Sequence, residues 1–177
     1  PTYAQVVGAV NRAARPDDYA VSAAGGFPGE LNANWLSLGV GTFDCEYGFS
    51  CMGYEIAGAW GARMARAEGE VVVFVGDGSY LMLNSEIYSS VLSGAKFVLV
   101  VCDNGGFAVI ERLQRNQGGA SYNNMLADSR GPGAHVRVDF GAHARSLGAL
   151  AIEVSSMDEL HAALQEARHA DRTTVVV

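Results

Sequence analysis

Glu70-Val71-Val72-Val73-Phe74-Val75-Gly76-Asp77-Gly78 decides the fold. The run from Val71 to Val75 is apolar at every position and of strand length, and Gly76-Asp77-Gly78 ends it at once. A strand without alternation has both faces covered, which is the habit of a parallel sheet and not of an antiparallel one. Lys96-Phe97-Val98-Leu99-Val100-Val101-Cys102 repeats the pattern and closes on its own polar cluster, Asp103-Asn104-Gly105-Gly106. Between them, Leu83, Ile87 and Val91 fall at i, i+4 and i+8 and predict a helix over Leu81–Leu92. Strand, helix, strand makes one βαβ unit, so the expected fold is α/β, doubly wound, with a mainly parallel sheet and helices on both faces.

Reading outward, residues 2–14 carry Val6, Val7, Ala9, Val10 and Ala13 at helical spacing, and Pro16-Asp17-Asp18 ends that helix. Tyr19–Ser22 is a short strand running into Ala23-Ala24-Gly25-Gly26, followed by an expected loop with Pro28 and Gly29. Residues 51–67 read as a helix packing through Ile56, Ala57, Ala59, Trp60 and Met64. Gly53, Gly58 and Gly61 each cost that helix roughly 1 kcal/mol relative to Ala, which suggests close approach of a neighbouring helix or a ligand. A further helix starts near Phe107, and residues 115–133 form a polar, Gly-rich loop of the length usually reserved for function. A helix over 140–147, a strand over 150–154, a helix over 157–170 opened by Ser155 or Ser156, and a strand over 173–177 complete one domain, 1–177.

Composition narrows the partners. Twelve basic residues against 19 acidic ones give a net charge of −7, which argues against nucleic acid or an anionic membrane surface. No run approaches the roughly 18 apolar residues of a membrane span, and the N-terminus lacks a signal-peptide pattern, so a cytoplasmic setting is expected. Cys45, Cys51 and Cys102 form no Cys-x-x-Cys pair, and His135, His143, His161 and His169 form no zinc-binding pair. Glycine is abundant, 22 of 177 residues, which points to several places of tight backbone turning or close ligand approach.

In doubly wound sheets ligands sit beyond the carboxyl ends of the strands, where both polar clusters fall. Asp77 and Asn104 offer two hard oxygens on one edge, the donor type that Mg²⁺ prefers alongside phosphate oxygens. The neighbouring glycines let backbone amides approach a phosphate, and neither cluster contains Lys or Arg. A diphosphate bridged to the protein by Mg²⁺ accounts for both facts. Each cluster alone is also an ordinary turn sequence. Neither Gly-x-x-x-x-Gly-Lys-Ser/Thr nor Gly-x-Gly-x-x-Gly is present in the first βα turn, which weakens a nucleotide-hydrolase or nicotinamide reading.

Gly76-Asp77-Gly78, then Asn104 with Gly106 two positions on, resembles the motif of thiamine-diphosphate-dependent enzymes, in their C-terminal diphosphate-binding domain. The resemblance implies that Asp77, Asn104 and the Gly106 carbonyl hold Mg²⁺, and that Gly76, Gly78, Ser79 and Gly106 meet the diphosphate. The family usually has Asn-Asn where this chain has Asp103-Asn104; the second residue of the pair is the ligand. Tyr47-Gly48-Phe49-Ser50-Cys51-Met52-Gly53-Tyr54 resembles the stretch that supports the bent cofactor. It implies Met52 as the wedge and the Ser50 carbonyl as the aminopyrimidine contact, although Met52 also reads as a plain core residue at a helix start.

Within the family, Cys45–Ala59, Pro1–Arg12, Ala23–Glu30 and Gly76–Leu83 resemble the ring-opening hydrolases of myo-inositol catabolism. That implies cleavage of a trihydroxycyclohexane-1,2-dione by water, with the cofactor as electron sink. An acetolactate-synthase-like carboligase and an inactive folded fragment are the alternatives. Ile110 stands about where 2-oxo-acid decarboxylases carry a catalytic Glu, with Glu111 one position off. The family's activating glutamate belongs to an N-terminal pyrimidine-binding domain of a neighbouring subunit in a homodimer or homotetramer. No catalytic residue is therefore assigned here, the chain is read as a piece of a longer enzyme, and alone it is expected to bind cofactor weakly and to be inactive. Glu46 and Glu55 are expected to touch substrate, cap a turn or face solvent. Cys51 reads as a buried small residue in preference to an activated thiol. The 115–133 loop, with Tyr122, Asn123 and Asn124, is expected to close over the site and to be mobile without a partner.

Overall fold

The computed structural model describes residues 1–132 and 136–177. Gly133, the last residue of the expected 115–133 loop, and His135 lie outside the described residues. The strands are β1 (Tyr19–Ser22), β2 (Phe43–Cys45), β3 (Val71–Gly76), β4 (Val98–Cys102), β5 (Leu150–Ile152) and β6 (Thr174–Val176), paired in parallel in the order β2-β1-β3-β4-β6-β5. The helices are α1 (Tyr3–Ala13), α2 (Phe27–Asn34), α3 (Tyr54–Ala65), α4 (Asp77–Met82), α5 (Ser85–Ser93), α6 (Ala108–Asn116), α7 (Phe140–Ser146) and α8 (Met157–His169).

Both faces of the sheet are buried, as the unbroken apolar strands require. Val72 and Phe74 of β3 face α1, α2 and α8, packing with Val7, Val10, Phe27, Leu31 and Leu164. Val71, Val73 and Val75 face the other way, toward Ile56 and Ala59 of α3, Tyr80 of α4, Ile87 of α5 and Phe140 of α7. At the amino ends of the strands, Arg168 of α8 reaches Asp18 at 2.6 Å, and both side chains are largely buried. Burial opposes the Asp18 charge, but hydrogen bonds from Arg168 and from the amides of Glu70 and Arg15 hold its carboxyl below the usual range.

The structure corrects several sequence expectations. The helix expected over Leu81–Leu92 is two helices: α4 begins earlier, at Asp77, and the chain breaks at Leu83 and Asn84 before α5. Gly53 packs on that break, where a Cβ would sit 2.7 Å from Leu83 Cβ, and its φ of +95° suits glycine. Leu83 is exposed, and Ile87 alone of the expected triplet is fully buried. The atoms nearest to a Cβ on Gly58 would be those of Tyr54 in its own helix, and Gly61 has open space beside it, so neither shows the close neighbour expected. Met64 is exposed, off the packing face of α3. The loop expected around Pro28 and Gly29 is α2, whose Pro28 in the first turn and Glu30 close behind are helix-start signals. Among the described residues no helix is long and apolar enough to cross a membrane.

Candidate functional site

The strand order reverses direction between β1 and β3, and such a switch point opens a crevice at the carboxyl ends. Ala24, Gly25 and Gly26 after β1, Gly76 at the end of β3 with Asp77, Gly78 and Ser79 after it, and Asn104, Gly106 and Phe107 after β4 all line one cleft there, of about 620 Å³. Tyr47, Ser50 and Met52 form a second wall, and Val109, Ile110 and Leu113 of α6 a third. Every residue expected at a cofactor or metal position therefore lies on this cleft.

Asp77 and Asn104 both line its floor. Asp77 is 5% exposed; one carboxylate oxygen, Oδ2, accepts the Gly106 N–H at 2.7 Å, while Oδ1 is buried without a partner. Asn104 donates from Nδ2 to the Tyr3 hydroxyl oxygen at 2.5 Å, and its Oδ1 is likewise buried without a partner. Only five side-chain polar atoms are so placed among the described residues, and these two share a site. An unpaired buried acceptor costs about 1–3 kcal/mol, so two on one floor call for a donor or a cation. Burial pushes the Asp77 carboxyl above its ordinary range against the Gly106 and Gly78 amides, and burial pushes the Tyr3 hydroxyl up to about 12. Among the described residues no three His, Cys, Asp or Glu side chains gather as a metal cage. One carboxylate oxygen, one amide oxygen and nearby backbone carbonyls nevertheless fit a hard, partly hydrated divalent cation.

Gly106 has a φ of +142°, and a Cβ there would lie 2.5 Å from the Asn124 carbonyl oxygen and 2.9 Å from Met125 Cα. The segment behind it is pinned: Phe107 N–H donates to Asn124 O and Leu126 N–H to Gly105 O, both at 2.8 Å. Asn124 Nδ2 donates to Gln114 Oε1 at 2.7 Å and to Glu111 Oε2 at 3.3 Å, and Glu111 also pairs with Arg115 at 2.5 Å. Thus the expected 115–133 loop begins after α6 ends at Asn116, and part of it backs the cleft floor. Glu111 is turned into this network and does not line the cleft, whereas Ile110 does. Gly106→Ala is expected to lower stability by about 1–3 kcal/mol through backbone strain and to speed amide exchange at Leu126. Urea unfolding and hydrogen exchange measure both, and wild-type values would contradict this account of the floor.

The opposite wall is shaped by two carboxylates. Ser50 adopts φ +53°, uncommon outside glycine, in a turn whose Phe49 and Cys51 amides donate to Glu46 at 3.0 and 2.8 Å. Glu46 is therefore a turn cap, and those two amide hydrogen bonds lower its carboxyl pKa. Glu55 faces no solvent: it is 0% exposed, accepting the Ala24 N–H at 3.0 Å and the Gly53 N–H at 2.8 Å. Cys51 is exposed, not buried, and its hydrogen bond with Glu46 raises its thiol pKa, so neither reading of it from sequence holds. Met52 is part-exposed at the cleft; a Cβ on Gly78 would lie 3.4 Å from Met52 Cε and 2.7 Å from the Phe107 ring. Gly78 is thus bare backbone between two apolar side chains. Tyr3 and Phe107 are the site residues that the sequence reading missed. Glu55 was singled out, and of the roles expected for it the structure gives it that of a buried acceptor for two backbone amides.

Comparisons with known proteins bear on this geometry. The family described as thiamine pyrophosphate enzyme, C-terminal TPP binding domain, matches residues 30–177. The 3D-(3,5/4)-trihydroxycyclohexane-1,2-dione hydrolases of Bacillus cereus (strain AH820) and Bacillus anthracis (strain A0248) are 38% identical to this chain over 180 residues, covering 99% of it. The protein of that name from Bacillus thuringiensis (strain Al Hakam) is 37% identical over the same length. The chain spans 28% of the length of each of these relatives.

Proposed function

Because the chain belongs to the thiamine pyrophosphate enzymes, through their C-terminal TPP-binding domain, we propose that its cleft grips the cofactor's diphosphate through Mg²⁺. The observation that carries this reading is the pair of buried, unpartnered oxygens, Asp77 Oδ1 and Asn104 Oδ1, on one cleft floor. These two atoms and the Gly106 carbonyl would hold the cation. The Gly78 and Ser79 amides, in the first turn of α4, would donate to phosphate oxygens, and Gly76 keeps that approach open. The Ser50 carbonyl would meet the aminopyrimidine, with Met52 beneath the bend of the cofactor.

Bound there, thiamine diphosphate supplies a carbon nucleophile and an electron sink for cleaving a bond next to a carbonyl. The chain's own part is to orient and to exclude water: Met52, Phe107 and Ile110 give the cleft an apolar lining around a polar floor. The relatives' name states hydrolysis of a trihydroxycyclohexane-1,2-dione for them, and we assign the whole enzyme to that reaction, as a ring opening in inositol catabolism. Ile110 on the cleft and Glu111 turned away from it leave no acid on that wall among the described residues, which disfavours a decarboxylase. A pyrimidine-binding domain of a neighbouring subunit would bring the activating glutamate, and residues 1–177 would act as one unit within a homo-oligomer.

Titrating thiamine diphosphate into the chain by calorimetry tests the reading. Weak binding is expected in millimolar Mg²⁺ and none in excess EDTA. Equal heats in both conditions, or no heat in either, would sink it. With the pyrimidine-binding partner supplied, the assembly should consume the cyclic dione; consumption of a 2-oxo acid instead would favour the carboligase.

A further inference from the structure

Asn104 can serve a cation only if its amide presents oxygen to the cleft and keeps nitrogen away from it. A planar amide decides this by what its other end touches, and here the other end touches Tyr3. Nδ2 donates to the Tyr3 hydroxyl oxygen at 2.5 Å, leaving Oδ1 buried and unpartnered. The hydroxyl itself stands at the cleft, 3.5 Å from where a Cβ on Gly76 would be.

Tyr3 is seated firmly enough to act as a fixed post. It lies in the first turn of α1, behind a capping box in which Thr2 and Gln5 satisfy each other's backbone amides. Its ring stacks on Phe27 with centroids 4.2 Å apart and planes 8° from parallel. Gly26 makes room for it: a Cβ there would lie 2.5 Å from the ring. The aromatic stack thus ties α1 and α2 to the loop after β4.

We propose that Tyr3 is a positioning residue for the cation, holding the Asn104 amide so that Oδ1 faces the cleft. The inference rests on the proposed Mg²⁺ site and adds to it an outer partner, the kind of contact that orients a ligand without touching the metal. Tyr3→Phe removes one oxygen and keeps the ring and its stack. In the presence of thiamine diphosphate its affinity for Mn²⁺, a spectroscopic stand-in for Mg²⁺ read by electron paramagnetic resonance, should fall about 10- to 100-fold. The melting temperature of the metal-free variant should fall by no more than about 2–4 °C, the cost of one lost hydrogen bond. A structural role alone would lower the melting temperature further and spare Mn²⁺ affinity, and that result overturns the proposal. Phe27→Leu keeps the hydroxyl and loosens its seat, so its loss of affinity should be smaller; a loss equal to that of Tyr3→Phe would assign the effect to packing and also overturn it. If the wild type binds no Mn²⁺ with the cofactor present, the site reading itself fails and takes this inference with it. Unchanged Mn²⁺ affinity in Tyr3→Phe beside a binding wild type removes only the inference.

Discussion

Asp77→Ala is expected to abolish Mg²⁺-dependent binding of thiamine diphosphate, with an affinity loss of at least about 100-fold by calorimetry. The substitution removes the one carboxylate that lines the cleft among the described residues, and Mg²⁺ usually takes only one or two carboxylates from a protein. Asp77→Asn separates a ligand role from a turn role. An Asn there can still accept the Gly106 N–H that Asp77 Oδ2 receives at 2.7 Å, so the turn keeps its bond. What disappears is a buried charge with one unpartnered oxygen, which burial already pushes toward the protonated form. The metal-free Asp77→Asn chain should therefore be as stable as the wild type or more so, within about 1 kcal/mol by urea unfolding, while cofactor binding is lost. A residue kept for stability would show the reverse. Clear destabilisation with cofactor binding intact would return Gly76-Asp77-Gly78 to the ordinary turn its sequence also permits.

The parts of this protein legible in its sequence were those governed by short-range rules. Val71–Val75 and Val98–Cys102 are apolar at every step because both faces of the sheet are covered, and the polar clusters after them had to fall at the carboxyl ends. The residues proposed for metal and cofactor came from a motif, and the fold brings all of them to one cleft. What stayed hidden depended on partners distant in the chain. Tyr3 meets Asn104 across the whole span of β1 to β4, and nothing in Pro1-Thr2-Tyr3 declares it. Leu83 kept helical spacing with Ile87 and Val91, yet the chain breaks there, against a glycine in another element. The three residues of β2 were too few to show a period, and Cys51 followed its residue type where the turn capped by Glu46 decided its exposure.

Glu55 provides the second large effect, and it is one of stability. Two backbone amides from separate elements, Ala24 after β1 and Gly53 before α3, converge on its two oxygens at 3.0 and 2.8 Å in a fully buried setting. Two donors require two acceptors, and among side chains of that length only a carboxylate has both. Glu55→Gln replaces one acceptor with an NH₂ group that faces an N–H, so this nearly isosteric change should still cost about 1–3 kcal/mol. Glu55→Ala leaves both amides unpaired in addition to a cavity and should cost about 3–5 kcal/mol. Burial raises the Glu55 carboxyl above its ordinary value against those amide bonds. A raised acid contributes stability that is complete below its unfolded pKa and fades as pH rises through the folded one, so the wild type should lose some stability across that window and Glu55→Gln should not. Urea unfolding at several pH values measures the cost and its pH dependence together, with exposed Glu166→Gln as the control. Because Ala24 lines the cleft and Gly53 follows the cleft residue Met52, the same variants should also weaken cofactor binding, though Glu55 itself does not line the cleft. Glu55→Gln with wild-type stability would mean that the two amides find other partners, and the cleft walls would then need a different explanation.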